Sequence, residues 1–444
     1  MTYQQTLEYL YQRLPMFTRI GAAAYKKDLH NTLALLHELG NPHQQFTSIH
    51  IAGTNGKGSV SHMLAAIFQT HGYKTGLYTS PHLRDFRERI KINGTPVAEN
   101  FVTTWVQKMQ VNLEAIEPSF FEATVAMAFD YFACQQVDIA IIETGLGGRL
   151  DSTNVVTPAM SIITNIGWDH MNLLGNTLEK IAGEKAGIIK PGIPVVIGEA
   201  LAETRPVFEA TAKAQNSPIY FAEQEFAFSS LIPGWMDLQL TFKHEEGADI
   251  CINTDLAGLY QAYNVRTVLC ALKYWKHPTL PLQWQKAIEA LGHVQARTGL
   301  EGRWQVIRQE PFVVLDVAHN QAGMAQLLNQ LAVFEELWPG SKIHLIMGMA
   351  ADKAVEEVLA QLPKHYKYYF TNAQIPRALP ASQLQQKAYQ QGITGAAFSH
   401  VNLALRQALS HCQRQDIIVV CGSVFVVGEV DITITNQTFS ITGW

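Results

Sequence analysis

The sequence predicts an α/β fold: two domains, each a doubly wound sheet, with a small antiparallel sheet appended to the first. Three observations carry this reading. Apolar-rich runs of strand length recur at 137–142, 160–165 and 194–197, the pattern expected of strands buried on both faces. Segments with apolar residues three and four apart lie between such runs, so strand and helix alternate. At 444 residues the chain is too long for one ordinary core, and two domains are expected.

Taken in order, residues 4–14 and 27–39 carry helical spacing. A β-rich run at 46–52 ends in a glycine loop, a helix follows over 60–71 and stops at Gly72, and a strand over 75–79 completes a βαβ unit. A helix at 122–135 leads into the strand at 137–142, and a helix at 178–187 separates the next two strands. Between about 218 and 256 the pattern alternates, as in 237–242, which predicts the antiparallel sheet. Helices resume at 260–273 and 283–291. Residues 292–303 hold Gly292, Gly299 and Gly302 with little periodicity, which predicts a linker; the domains are then 1–295 and 296–444. The second domain reads as strands at 312–317, 343–347, 366–371 and 416–421. Its helices fall at 323–336, 353–361, 381–391 and 401–412, giving a second, smaller doubly wound sheet.

Composition narrows the function classes. Apolar residues make up 47% and charged residues 16%, which excludes a disordered chain. The net charge of −5 is spread without a basic or acidic block, so no nucleic-acid partner is expected. Five scattered cysteines with no C-x-x-C pair argue against a zinc site or disulfide framework; most read as small buried residues in a reducing compartment. The first residues lack a signal-peptide pattern, and the apolar stretch at 417–428 is shorter than the ~20 residues of a membrane span. A cytoplasmic protein without membrane association is expected.

The motif richest in chemistry is Gly53-Thr54-Asn55-Gly56-Lys57-Gly58-Ser59, placed after a strand and opening a helix. Backbone N–H groups of such a loop face an anion, the helix start adds positive potential, and Lys57 neutralises phosphate charge. Its spacing departs from the standard phosphate loop, with two residues between Gly53 and Gly56 and with Gly58 before Ser59. The first domain therefore reads as a P-loop-type nucleotide domain and the second as Rossmann-like.

Further stretches stand at strand ends and helix starts: Ser80-Pro-His-Leu83, Glu143-Thr-Gly-Leu-Gly-Gly-Arg-Leu-Asp151, Asp169-His170, Gly183-Glu-Lys-Ala-Gly-Ile188 and Asp316-Val-Ala-His-Asn320. Together with the glycine loop, these resemble, in order along most of the chain, the folylpolyglutamate synthase/dihydrofolate synthase family within the Mur ligase superfamily. The resemblance implies a ligase using ATP and two Mg²⁺ ions to join L-glutamate to a folate-type acid, as a monomer. It implies that Ser80 and Glu143 hold one Mg²⁺ while His170 and Glu143 serve the other. It further implies that Lys185, carbamylated by CO₂, becomes an anionic ligand, which requires a neutral amine; the plainer alternative is a surface lysine paired with Glu184 or Glu179. Asp316 is implied on the ribose or adenine side and His319 near the γ-phosphate, with Asn264 and Arg303 as further nucleotide contacts. Val317 stands where relatives usually carry glycine. Phe121, Glu122 and Asp151 match stretches lining a pterin groove. Residues 376–380 and 422–423 also match family positions, with no role assigned.

These parts imply phosphoryl transfer from ATP to the carboxylate, then attack of glutamate's amine on the acyl phosphate. Closure of the domains about the linker is expected to exclude water. Two other readings share features: another Mur-type ligase, which usually carries an extra N-terminal domain, and a P-loop ATP switch, which leaves Glu143, His170 and Lys185 without a use.

Overall fold

The computed structural model describes residues 1–21, 26, 28–243 and 248–436. They fall into two compact units. The first holds Met1–Ile232, Gln239–Asp255 and Gln261–Leu300; the second holds Pro233–Leu238, Leu256–Tyr260 and the chain from Glu301 on.

The first unit is built on β1 (Thr47–Ala52), β2 (Thr75–Tyr78), β3 (Ile90–Ile92), β4 (Thr95–Pro96), β5 (Ile139–Glu143), β6 (Met160–Ile163), β7 (Val195–Ile197) and β8 (Ile219–Phe221). Among the described residues these strands form one sheet in the order β4-β3-β2-β5-β1-β6-β7-β8. All neighbours pair in parallel except β2–β3 and β3–β4. Every residue of β5 is buried, because helices cover both faces of a parallel sheet. Strands β2–β5 lie to one side of β1 and β6–β8 to the other, so the loop leaving β1 opens where the strand order reverses, the place at which α/β sheets bind ligands. One core cluster packs Leu10, Leu36, Trp105 and Phe129; another packs Ile163, Ile181, Val195 and Phe208.

A small separate sheet has the order β11-β10-β9, from β9 (Ala227–Pro233), β10 (Leu238–Lys243) and β11 (Ile250–Thr254). Its alternation is plain: Ile250, Ile252 and Thr254 are buried while Cys251 and Asn253 are exposed.

The second unit holds β12 (Gln305–Gln309), β13 (Phe312–Leu315), β14 (Ile343–Met347), β15 (Lys367–Phe370), β16 (Gly395–Ala397) and β17 (Ile417–Cys421) in the order β12-β13-β17-β14-β15-β16. Only β12 runs antiparallel. Trp235, in the turn between β9 and β10, belongs to this unit: its ring stacks on Phe312 at 3.6 Å and lies 4.2 Å from Phe334 and 4.6 Å from Trp338.

Several expectations need correction. Residues 219–221 do not join the antiparallel sheet but extend the large sheet in parallel beside β7. Residues 292–303 are not featureless, since a short helix runs Val294–Thr298. The helices Glu99–Ile116 and Arg205–Ala214, the strand β3 and the edge strands β4, β12 and β16 were not anticipated. The helix expected over 27–39 begins at His30, and Lys27, the first residue of the expected span, lies outside the described residues. Of the cysteines, Cys270, Cys412 and Cys421 are buried and Cys134 and Cys251 are exposed, all free. Among the described residues no helix is long and apolar enough to cross a membrane.

Candidate active site

The glycine loop joins β1 to the helix Lys57–Thr70, and it lies directly on the end of β6. Gly53 has φ +150°, and a Cβ there would fall 1.8 Å from Thr164 Oγ1; Gly56 has φ +82°, and a Cβ there would fall 2.2 Å from Asn264 Oδ1. Glycine is therefore required at both positions by backbone conformation and by close approach. The Thr164 hydroxyl donates to the Asn55 carbonyl at 2.6 Å. Thr54 N–H donates to the Asn165 carbonyl at 3.0 Å and Asn55 N–H to Asn165 Oδ1 at 2.9 Å. Those two amides thus serve the loop's own shape. The amides left to cradle an anion are those of the helix's first turn, which have no carbonyl partner within the helix. Gln261 Nε2 donates to Ser59 Oγ at 3.2 Å, and buried Asn264 donates to Gln261 Oε1 at 2.8 Å.

Lys57 Nζ folds back on its own loop, donating to the carbonyls of Gly53 at 3.1 Å and Thr54 at 3.2 Å. Lys185, in the helix Leu178–Ala186, donates to the same Gly53 carbonyl at 2.7 Å. Lys185 is 4% exposed, which removes the surface-lysine alternative. Burial first, and the Lys57 charge second, bring its pKa down to about 7, so a large neutral fraction exists near neutral pH.

Glu143 ends β5 and is 5% exposed. Its Oε2 accepts the Ser80 N–H at 3.1 Å, a contact made possible because β2 and β5 are parallel neighbours. Glu143 is also one strand from the glycine loop, as the register of Ile51 with Glu143 shows. Among the described residues no group of three or more His, Cys, Asp and Glu side chains is arranged to hold a metal. A hard divalent cation fits nonetheless: the Glu143 carboxylate and the Ser80 hydroxyl are oxygen donors on adjacent strand ends, and phosphate and water complete such a shell. His170 sits in the left-handed region (φ +49°) at the start of the short helix Met171–Leu174. Its N–H donates to Asp169 Oδ1 at 2.9 Å, and the Phe17 ring meets its imidazole edge-on at 5.6 Å.

The residues matched to a pterin groove are placed differently from one another. Phe121 is half-buried beside Tyr78, ring centroids 6.2 Å apart. Glu122 is buried and closes a capping box, accepting the Ser119 N–H at 2.6 Å, so it starts the helix Phe120–Cys134. Asp151 is 2% exposed. It accepts the N–H of Leu146 at 2.8 Å, the N–H of Thr153 at 3.0 Å and the Thr153 hydroxyl at 2.5 Å. Burial pushes its carboxyl up, and the hydrogen bonds it accepts oppose that shift. Asp151 therefore shapes the loop that follows Glu143. Behind it, fully buried His50 meets Thr153 Oγ1 at 2.8 Å.

In the second unit, buried Asp316 follows β13. Its Oδ2 accepts the Tyr260 hydroxyl at 2.7 Å and the Trp304 N–H at 2.9 Å, and its Oδ1 accepts the Ala318 N–H at 2.9 Å. Burial pushes the Asp316 carboxyl up and the Tyr260 phenol up with it. Arg303 donates to the Gly302 carbonyl at 3.2 Å, and His319 Nδ1 donates to the Val317 carbonyl at 2.9 Å. Val317 is not among the described residues with positive φ, so the valine expected to stand in place of a glycine sits there without backbone strain. The expected site residues thus divide between the units: the loop, Ser80, Phe121, Glu122, Glu143, Asp151, His170, Lys185 and Asn264 in the first, Arg303, Asp316 and His319 in the second.

Sequence reasoning missed Thr164, Asn165, Gln261 and Tyr260. The polar pair Thr164-Asn165 directly after an apolar strand was the available signal, since ligands gather beyond the carboxyl ends of such strands.

Residues 51–272 match the Mur ligase middle domain, and residues 302–424 match the Mur ligase, glutamate ligase domain. The dihydrofolate synthase/folylpolyglutamate synthase of Bacillus subtilis is 32% identical over 440 residues, covering 96% of this chain and 98% of that protein. The Mycobacterium tuberculosis folylpolyglutamate synthase, solved with ADP and AMPPCP, is 29% identical with a TM-score of 0.84, covering 96% of this chain and 97% of that one. The bifunctional folylpolyglutamate synthase/dihydrofolate synthase of Yersinia pestis, solved with AMPPNP and a Mn ion, is 28% identical with a TM-score of 0.80 over 96% and 97% of the two chains. With both halves matched in order and a relative of this identity spanning nearly every residue, the chain belongs to the folylpolyglutamate synthase/dihydrofolate synthase family of Mur ligases.

Proposed function

We propose that this chain is an ATP-dependent ligase that forms an amide between a folate-type carboxylic acid and L-glutamate, releasing ADP and phosphate. The observation that carries the reading is the convergence of Lys57 and Lys185 on the Gly53 carbonyl, in a glycine loop one strand from Glu143. Lys57 and the first-turn amides of this loop suit the β- and γ-phosphates of ATP. To reach them, the Lys57 ammonium leaves the Gly53 and Thr54 carbonyls and exchanges them for phosphate oxygens, a charge-assisted replacement.

The substrate carboxylate attacks the γ-phosphorus, and Lys57 with the first-turn amides spreads the transferring charge. Phosphate then leaves as the neutral amine of glutamate attacks the carbonyl carbon. Divalent ions, two in this reading, would be held by Ser80, Glu143, His170 and a carbamylated Lys185, and would supply electrophilic stabilisation of phosphate and carbonyl oxygens. Carbamylation joins Lys185 Nζ to the carbon of CO₂ and releases a proton; the lowered pKa supplies the neutral amine it needs. In the second unit, Arg303 and His319 are the expected nucleotide contacts, and Asp316 holds their segments in shape through the Trp304 and Ala318 N–H groups. Action as a cytoplasmic monomer completes the reading, and sedimentation of the purified chain checks its last part.

The deciding experiment supplies ATP, Mg²⁺ and labelled glutamate with dihydropteroate or tetrahydrofolate in separate reactions and weighs the products. One or both acids gain a glutamate mass, and phosphate release requires acid and glutamate together. Phosphate release indifferent to both, with no ligated product, would overturn the proposal.

A further inference from the structure

Asn165 follows β6 and has no role in the reaction proposed above, yet it makes two of the contacts that shape the glycine loop. Its carbonyl takes the Thr54 N–H at 3.0 Å, and its side-chain oxygen takes the Asn55 N–H at 2.9 Å. The contact to Asn55 spans 110 positions of sequence, so it is wholly a product of β1 pairing beside β6. Because the backbone N–H can only donate, Oδ1 must face Asn55, and Nδ2 then points the other way. There Nδ2 donates to Glu199 Oε1 at 3.5 Å, while the Glu199 N–H donates to the Thr164 carbonyl at 3.0 Å. Both neighbours therefore demand the same orientation of one amide. A carboxylate behind it admits only a donor, and an amide in front of it admits only an acceptor.

We propose that Asn165, held in one orientation by Glu199, is a positioning residue for the phosphate loop, fixing Asn55 so that the amides of the following helical turn face the nucleotide. The inference rests on the reading of this loop as an ATP site. Glu199 is partly buried between Asn165 and the charge of Arg266, and burial pushes its carboxyl up. Its contribution is directional: it stops the Asn165 amide from turning over and presenting a donor to the Asn55 N–H.

The geometry distinguishes a set of near-isosteric changes. Asn165→Asp keeps an oxygen for Asn55 but sets a second carboxylate against Glu199, so the side chain is driven out of place. Glu199→Gln leaves Asn165 a carbonyl oxygen to donate to. Combining Asn165→Asp with Glu199→Gln restores a donor–acceptor match, now with the carboxylate at position 165 and the amide at position 199, and no longer opposes two carboxylates.

The experiment measures, on the full-length protein, the KM for ATP at saturating acid and glutamate, the KM for glutamate, and ATP–Mg²⁺ binding by calorimetry. Loss of one such contact corresponds to about a tenfold change in affinity. Asn165→Asp raises the KM for ATP about tenfold with the KM for glutamate within about twofold; Glu199→Gln stays within about twofold of the unsubstituted protein, and the double variant returns to within about twofold. If Asn165→Asp does not fold, Glu199→Ala, which frees the amide to rotate, raises the KM for ATP by itself. An unchanged KM for ATP in Asn165→Asp or, failing that, in Glu199→Ala overturns the proposal, as does a double variant no better than the single, or a loss confined to kcat. Failure of the unsubstituted protein to bind ATP is a different result: it removes the ATP reading, and the positioning role with it.

Discussion

Lys57 and Lys185 donate to one acceptor, the carbonyl of Gly53, at 3.1 and 2.7 Å. Burial raises the cost of charging the deeper amine, Lys185, and repulsion from the Lys57 charge adds to it.

This gives a pH-dependent stability with a definite sign. The pKa of Lys185 is about 7 in the folded protein and the ordinary lysine value in the unfolded chain, so between these values the unfolded chain binds the proton more tightly. The penalty of a buried charge is fully present below pH about 7 and fades as pH rises above it. In metal-free, CO₂-free buffer, Lys185→Met is expected to melt above the unsubstituted protein at pH 6, with the gap closing towards pH 9. Calorimetric melting across that range checks it; a gap that widens with pH contradicts the assignment.

Glu143→Gln preserves shape and keeps an oxygen for the Ser80 N–H. Removing the negative charge at the strand end should leave the melting temperature within a few degrees while lowering ligation by about two orders of magnitude or more. Titration with Mn²⁺ followed by electron paramagnetic resonance should show weakened binding in step with the lost rate.

Gly56→Ala meets two obstacles, a φ of +82° and the Asn264 side chain at 2.2 Å. A stability loss of about 1–3 kcal/mol is expected from the strained backbone, with a rise in the KM for ATP. Adding Asn264→Ala should relieve the contact but not the strain, recovering only part of the loss in urea unfolding.

Asp316→Asn turns a four-acceptor carboxylate into a group with one oxygen and one donor. The Tyr260 hydroxyl, Trp304 N–H and Ala318 N–H cannot all be satisfied, and a cost of about 1–3 kcal/mol follows. Tyr260→Phe, which removes one donor cleanly, should cost about 1 kcal/mol. Denaturant midpoints of the two variants decide the order.

The strands at the centre of each sheet were legible in the sequence because burial on both faces leaves runs rich in apolar residues, as in β5, β14 and β17. The glycine loop was legible because its backbone conformation demands glycine. Elements held by distant partners were not. The helix Val294–Thr298 was read as linker since its N-terminal cap is Asp255, whose carboxylate accepts the N–H groups of Val294 at 3.0 Å and Gln295 at 2.9 Å from far upstream. The helix Glu99–Ile116 starts at Ala98 with no side-chain cap, so its start carried no local signal. The burial of Lys185 was equally invisible, because Glu179, Lys180 and Glu184 around it give the segment a surface composition.

The turn carrying Trp235 bears on how this molecule can be cut. A fragment starting at Glu301 would leave behind both Pro233–Leu238 and Leu256–Tyr260, which belong to the same unit. The ring surfaces of Phe312 and Phe334 would lose their Trp235 cover and Asp316 would lose the Tyr260 hydroxyl. Such a piece should be sticky and poorly folded when expressed alone.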